Sequence, residues 1–143
     1  MIRKAEVKDI LYIEKLEKTV FKRSLGEKFL LQELTNNPFS HYFVYQKGNK
    51  VIGYIGFRAY DNQAEMMNFI ISPDHQNEGL GEELLTYSLD YFTHLDIKMI
   101  TLEVKKSNKK ALYIYEKLGF KVSHIRKEYY DNEDGYVYVK EVF

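Results

Sequence analysis

A glycine-punctuated loop between an apolar strand run and an amphipathic helix constrains this chain more than any other feature. Met66-Met67-Asn68-Phe69-Ile70-Ile71 is the strand run, Ser72-Pro73-Asp74 turns the chain, and Gln76-Asn77-Glu78-Gly79-Leu80-Gly81 leads into Glu82-Glu83-Leu84-Leu85-Thr86-Tyr87. Strand, loop and helix together expose the N–H groups of a first helical turn, which have no partner inside the helix and suit a phosphate. Gly79 and Gly81 carry no Cβ, so the backbone there can approach a bulky anion. Many glycine-rich turns bind nothing, so a second motif matters. Asn108, Ala111, Tyr115, Gly119 and Phe120 form N-x-x-A-x-x-x-Y-x-x-x-G-F, one helix downstream of a strand that carries Glu103.

Hydrophobic periodicity supplies the rest of the element order. Ile2 to Glu6 is a short strand; Asp9 is expected to cap a helix with Ile10, Ile13, Leu16 and Val20 on its apolar stripe. Glu27 to Thr35 is a second helix, stopped before Asn37-Pro38. His41 to Tyr45 and Val51 to Tyr60 are strands joined by the hairpin turn Lys47-Gly48-Asn49-Lys50, with Gly53 and Gly56 expected to break up the second. Ala64 to Ile71 is the strand entering the loop, and Gly79 to Phe92 the helix leaving it. Ile97 to Val104 is a nearly continuous apolar run, which predicts a central strand buried on both faces. Ser107 is a plausible N-cap for a helix from Asn108 to Leu118, with Gly119 as its C′ residue. Phe120 to Tyr130 and Tyr136 to Phe143 are strands around the turn Asp131 to Gly135. The order β-α-α-β-β-β-α-β-α-β-β predicts an α/β fold: a central mixed sheet flanked by helices on both faces.

Composition removes several function classes. The chain has 143 residues, the size of one domain (1–143). Lys+Arg and Asp+Glu are both 21, so there is no basic excess of the kind that binds nucleic acid. Without cysteine there is no disulfide, thiolate nucleophile or thiolate zinc site, and a reducing compartment fits. No signal peptide and no membrane-spanning run is visible, so a cytoplasmic protein is expected, as monomer or homodimer. His41, His75, His94 and His124 lack metal-ligand spacing; they are expected at the surface or rim, with no metal.

The two motifs resemble those of the GNAT (acyl-CoA N-acyltransferase) family. Gln76, Gly79 and Gly81 meet its loop pattern (Gln or Arg, two residues, Gly, one residue, Gly or Ala), and the element order matches its fold over essentially the whole chain. Within the family the chain is most similar to the RimI-type ribosomal-protein-alanine N-acetyltransferases. The segments that carry this likeness are Asn68 to Asp74 with the glycine loop, Leu102-Glu103-Val104-Lys105-Lys106-Ser107-Asn108, and Leu112 to Phe120 followed by Ile125 to Tyr130. Two departures stand out. Asn77 and Glu78 occupy the place before the first glycine where the family often has a cation. Phe21-Lys22-Arg23-Ser24 replaces the Phe-Pro-Trp-Ser stretch that lines the acceptor site in RimI-type proteins.

The resemblance implies acetyl transfer from acetyl-CoA to an amine, by direct transfer in a ternary complex. Such chemistry needs a neutral amine, a held thioester, a donor to the acyl oxygen and a proton for the leaving thiolate. Gln76, Asn77, Glu78, Gly79, Leu80, Gly81 and Glu82 would hold the pyrophosphate. The main chain of Phe69, Ile70 and Ile71 would pair with the pantetheine arm, and an N–H from Ile71 would polarise the carbonyl. Asn108 would contact the arm, or else be a helix-start residue only. Lys105-Lys106 and Lys109-Lys110 are a solvated face or a contact for the 3′-phosphate.

Glu103, a carboxylate inside an apolar strand, would be the general base working through water; the bland reading is a structural ion pair with a neighbouring Lys or Arg. Tyr115 would protonate the thiolate, the bland reading being a core tyrosine, a role expected of Tyr113 instead. Glu128, Tyr129 and Tyr130 are candidate substrate-binding residues, and Asp131, Glu133 and Asp134 an acidic hairpin that either attracts a basic peptide or is simply solvated. The acceptor expected is a protein N-terminal α-amine, first of all that of a ribosomal protein. The alternatives are a small amine or polyamine, or a module that binds acyl-CoA without turnover; the last has no need of both Glu103 and Tyr115.

Overall fold

The computed structural model describes residues 1–21, 24–130 and 133–142. Its strands are β1 (Ile2–Lys4), β2 (Ser40–Lys47), β3 (Lys50–Tyr60), β4 (Gln63–Ile71), β5 (Met99–Lys105), β6 (Lys121–Tyr130) and β7 (Glu133–Glu141). Its α-helices are α1 (Ile10–Phe21), α2 (Glu27–Thr35), α3 (Leu80–Thr93) and α4 (Lys109–Lys117), with short 3₁₀ turns at Val7–Asp9 and Pro73–His75. The strands form one mixed sheet in the order β1-β2-β3-β4-β5-β7-β6, and only β4 and β5 run parallel.

Side-chain alternation along the strands divides the interior into two cores. On one face Tyr42, Val44, Val51, Tyr54 and Ile70 pack with Ile10, Ile13 and Leu16 of α1 and Leu30 of α2. On the other, Phe43, Ile55, Phe57, Ile100 and Leu102 pack with Leu84, Leu85 and Phe92 of α3 and Leu112 and Tyr115 of α4. Because α1 and α2 rest on β2, β3 and β4, the strand buried on both faces is β3. β5 is central, as expected, but it alternates: Ile100, Leu102 and Val104 are buried while Met99, Thr101 and Glu103 are half-buried. The expectation of two-sided burial fails there because no helix covers that side of β5 deeply enough to shut out water.

Other expectations shift for local reasons. Asp9 does not simply start α1. It sits in the preceding turn, accepts the Glu6 N–H at 2.7 Å, and binds the Arg3 guanidinium through both carboxylate oxygens at 2.8 Å. Val20 lies outside the buried stripe of α1, whose last buried residue is Glu17. Gly53 and Gly56 do not break β3. Each makes room for a neighbour: a Cβ would stand 2.6 Å from the Ile71 side chain at Gly53 and 2.6 Å from the Tyr42 ring at Gly56. The cap of α4 is Asn108, not Ser107; its Oδ1 accepts the Ala111 N–H at 3.3 Å. Gly119 is left-handed (φ 95°) just past that helix, as a C′ residue should be. β7 begins at Glu133 rather than Tyr136; Asp131, Asn132 and Phe143, like Lys22 and Arg23, lie outside the described residues.

Candidate active site

The parallel contact between β4 and β5 is brief. Gln63, Ala64 and Glu65 register with Met99, Ile100 and Thr101, and from Met66 onward the strands separate. A bulge helps: Gly56 faces Asn68 but Phe57 faces Met66, so Met67 is the extra residue that bends β4. Ser72 donates to the Ile52 carbonyl at 2.7 Å, and antiparallel alternation then turns the N–H and C=O groups of Ile71 and Phe69 away from β3, into the gap. The expected main-chain donor at Ile71 therefore faces open space between two strands. Ile70 points the other way, into the α1/α2 core, so its side chain serves packing.

The gap opens into a cleft of about 660 Å³ between α3 and α4. Phe69, Ile71, Gln76, Asn77, Gly79, Leu80, Gly81, Glu82, Asn108 and Tyr115 line it, which brings most of the expected cofactor-site residues together. The two glycines differ. Gly79 has φ 80° and caps α3 without a side chain, leaving the first-turn N–H groups directed outward. Asn77 is also left-handed (φ 66°), and left-handed residues in a loop are one way for successive N–H groups to face a common anion. Gly81 is helical, and a Cβ there would meet Phe69 and Ile71 only at ordinary contact distances, 3.4 and 3.5 Å.

Some expected contributors play other parts. The Gln76 amide donates to the Ile71 carbonyl at 3.3 Å, tying loop to strand. The Glu82 carboxylate bridges the cleft to Lys117 at 2.9 Å, so only its main chain is available to an anion. Glu78 is not among the cleft-lining residues; its carboxylate sits 3.9 Å from Lys47 and 3.6 Å from His75. His75, Lys109, Lys110, Ala111, Tyr113 and Ile114 complete the lining. His75, expected at the surface or rim, lines the cleft as a partly exposed residue, whereas Tyr113 is expected in the core. Tyr113 is instead 68% exposed at the cleft, and His75 presents a buried Nδ1 with no hydrogen-bond partner. His41 is another correction: it is half-buried against Tyr91, 2.9 Å from that hydroxyl, and burial lowers its pKa.

Tyr115 and Glu103 lie on opposite sides of the sheet. Tyr115 is 4% exposed, reaches from α4 into the α3/α4 core, and also lines the cleft. Burial raises its phenol well above the ordinary value, and Tyr130 adds to the rise. Glu103 points to the helix-poor side of β5, with its carboxylate 3.2 Å from the Arg126 guanidinium. The Tyr130 phenol is raised by burial first and by the Glu103 carboxylate second.

Around it, the Tyr129 and Tyr130 rings meet edge-on at 4.9 Å. The acidic hairpin is committed to backbone: Glu133 accepts the Ser107 N–H and Asp134 the Glu128 N–H. Among the described residues, no group of three or more His, Cys, Asp or Glu is placed to hold a metal ion, and no helix is long and apolar enough to cross a membrane.

A parted parallel strand pair and a glycine loop at a helix start, opening on one cleft, fit an acyl-CoA-dependent acetyltransferase. The acetyltransferase (GNAT) family matches residues 8–120, and the chain belongs to that family, whose members use acetyl-CoA as co-substrate. It is an N-acetyltransferase. A ribosomal protein bS18-alanine N-acetyltransferase of Escherichia coli is 33% identical over 119 residues, covering 83% of this chain and 72% of that one. The crystal structure of the ribosomal-protein-S18-alanine N-acetyltransferase from Escherichia coli superposes with a TM-score of 0.90 at 25% identity, covering 99% of this chain and 93% of that chain. A spermidine N-acetyltransferase chimera from Vibrio cholerae shares the fold alone, at TM-score 0.85, 24% identity, and coverage of 99% and 95%.

Proposed function

We propose that this enzyme transfers an acetyl group from acetyl-CoA to the α-amine of a protein N-terminus, with the N-terminal alanine of a ribosomal protein as first acceptor. The observation that carries the reading is the division of labour across the sheet: a cleft with an anion seat and a buried phenol on one side, a half-buried carboxylate on the other, and an unpaired strand gap between. The identity to the Escherichia coli enzyme supports the choice of acceptor.

Acetyl-CoA supplies the acetyl group as a thioester. The N–H groups of Leu80, Gly81 and Glu82, with the left-handed loop at Asn77 and Gly79, hold its pyrophosphate. Lys109 and Lys110, on the opposite wall, bring the positive charge that Asn77 and Glu78 do not. The Asn108 side chain spends its oxygen on Ala111, which leaves its NH₂ group to meet the arm. The Ile71 N–H donates to the acyl oxygen. Glu103 takes a proton from the acceptor ammonium through water; with a reference pKa of roughly 7.7–8.0, an α-amine makes this a small demand. Tyr115 gives its proton to the leaving sulfur.

A thiol-release assay tests the reading. Peptides starting with Ala, Ser, Gly or Met are compared with lysine side-chain peptides and with polyamines. Turnover on an N-terminal peptide that stops when its α-amine is blocked is the expected result. Turnover on polyamines alone overturns the acceptor assignment.

A further inference from the structure

Arg126 lies two strands away from Glu103, yet their side chains meet. In the register Glu103 faces Val137 of β7, while Gly135 faces both Lys105 and Arg126. Gly135 leaves a space over β7 that the Tyr129 and Tyr130 rings fill; a Cβ there would stand 2.9 Å from the Tyr130 ring. The Arg126 guanidinium lies 4.8 Å from the centre of the Tyr129 ring and 3.2 Å from the Glu103 carboxylate. Lys105 sits 5.6 Å above the Tyr130 ring.

This cluster depends on an uncommon backbone. The β6 register breaks between Arg126 and Tyr130, and Glu128 there adopts φ 52°, a left-handed conformation that a side chain resists. The Asp134 carboxylate, accepting the Glu128 N–H at 3.0 Å, holds it. Strain kept in place beside a candidate site is a functional signal. A surface ion pair with its side chains 45% and 27% exposed adds little stability, so it does not explain the arrangement.

We propose that Arg126 is a specificity-determining residue of the acceptor site: clamped between Glu103 and Tyr129, it admits an acceptor with one ammonium group and repels amines that carry a second cation close by. The inference rests on the reading of Glu103 as the base. Any acceptor must bring its ammonium to Glu103, and therefore to the side of a guanidinium. Because the Glu103–Arg126 pair is half in water, one incoming ammonium exchanges for it at small cost. A polyamine brings a second charge on a short chain into the field of Arg126 and Lys105, where like charges repel.

The test compares wild type with Arg126→Gln and Arg126→Lys, using an N-terminal peptide and spermidine as acceptors. Arg126→Gln should raise the spermidine-to-peptide ratio of kcat/KM by about tenfold or more. The KM for acetyl-CoA should hold. Arg126→Lys should restore most of the selectivity. A ratio unchanged in Arg126→Gln overturns the inference, as does spermidine that neither enzyme binds, or selectivity lost only together with acetyl-CoA binding. Glu103→Gln separates the two readings: if it leaves peptide turnover intact, the base assignment fails; if it abolishes turnover while Arg126→Gln changes nothing, only the role of Arg126 falls.

Discussion

At the scale of single residues, the proposed acid and base owe their properties to different sides of one sheet. Glu103 is kept near water and a guanidinium. Tyr115 is kept dry, and burial raises its pKa. The proton Tyr115 would give is therefore present throughout the working pH range, so the phenol is not what ends activity in base. Tyr115→Phe should lower kcat by about 10²–10⁴ while leaving coenzyme A affinity nearly unchanged, because the ring still fills its place beside Phe120 and Tyr138. The sign of the pH effect follows. For wild type, kcat/KM should rise with pH as the acceptor amine loses its proton near 8 and should show no descending limb from Tyr115 below about pH 10. Steady-state kinetics across pH, with calorimetric titration of coenzyme A, checks both. Undiminished activity in Tyr115→Phe would remove the acid assignment.

At the scale of elements, the glycine loop was legible in the sequence because glycine spacing and a following apolar stripe are local signals. The difference between its glycines was not, since it depends on what stands opposite. Gly79→Ala forces an alanine into φ 80°, at a cost of roughly 1–2 kcal/mol, and disturbs the N–H groups that would hold the pyrophosphate. Gly81→Ala meets only ordinary contacts at 3.4 and 3.5 Å and should be close to neutral in stability. Coenzyme A affinity should fall in the first and change little in the second; equal losses would contradict the division. Similar reasoning explains the other misses. The apolar run of β5 says nothing about how far α1 and α2 extend, so its half-open face had to be seen. Tyr113 and Tyr115 are two residues apart on one helix, and only the helix's rotation decides which is buried. The pairing of Glu103 with Arg126 spans an intervening strand and leaves no trace in local spacing; the bland reading of Glu103 as an ion-pair partner and its reading as base describe the same carboxylate.

For the whole molecule, the layer formed by α1 and α2 is fastened to the sheet by two carboxylate–guanidinium pairs. Arg3 of β1 binds Asp9 before α1, and Arg58 of β3 binds Glu33 of α2 at 2.8 Å. Both carboxylates are buried. Burial alone would raise their pKa values, but hydrogen bonds and opposite charge outweigh it: Arg3 and the Glu6 N–H hold Asp9 low, and Asn37 and Arg58 hold Glu33 low. A carboxyl depressed in the folded state contributes stability that is full above its unfolded value of roughly 4 and is lost as pH falls through the lower folded value. The molecule should therefore lose stability in acid, and the α1/α2 layer should carry much of the loss. Glu33→Gln isolates the effect, because glutamine resembles the protonated acid. At pH 7 it should cost about 1–3 kcal/mol, leaving Arg58 without its charged partner. As pH falls through the lowered folded value the wild-type carboxyl takes up a proton, and the difference between the proteins should shrink toward zero. Urea unfolding of both at neutral and acidic pH reads this directly. A penalty of the same size at both would mean that the shape of the side chain, rather than its charge, anchors α2 to the sheet.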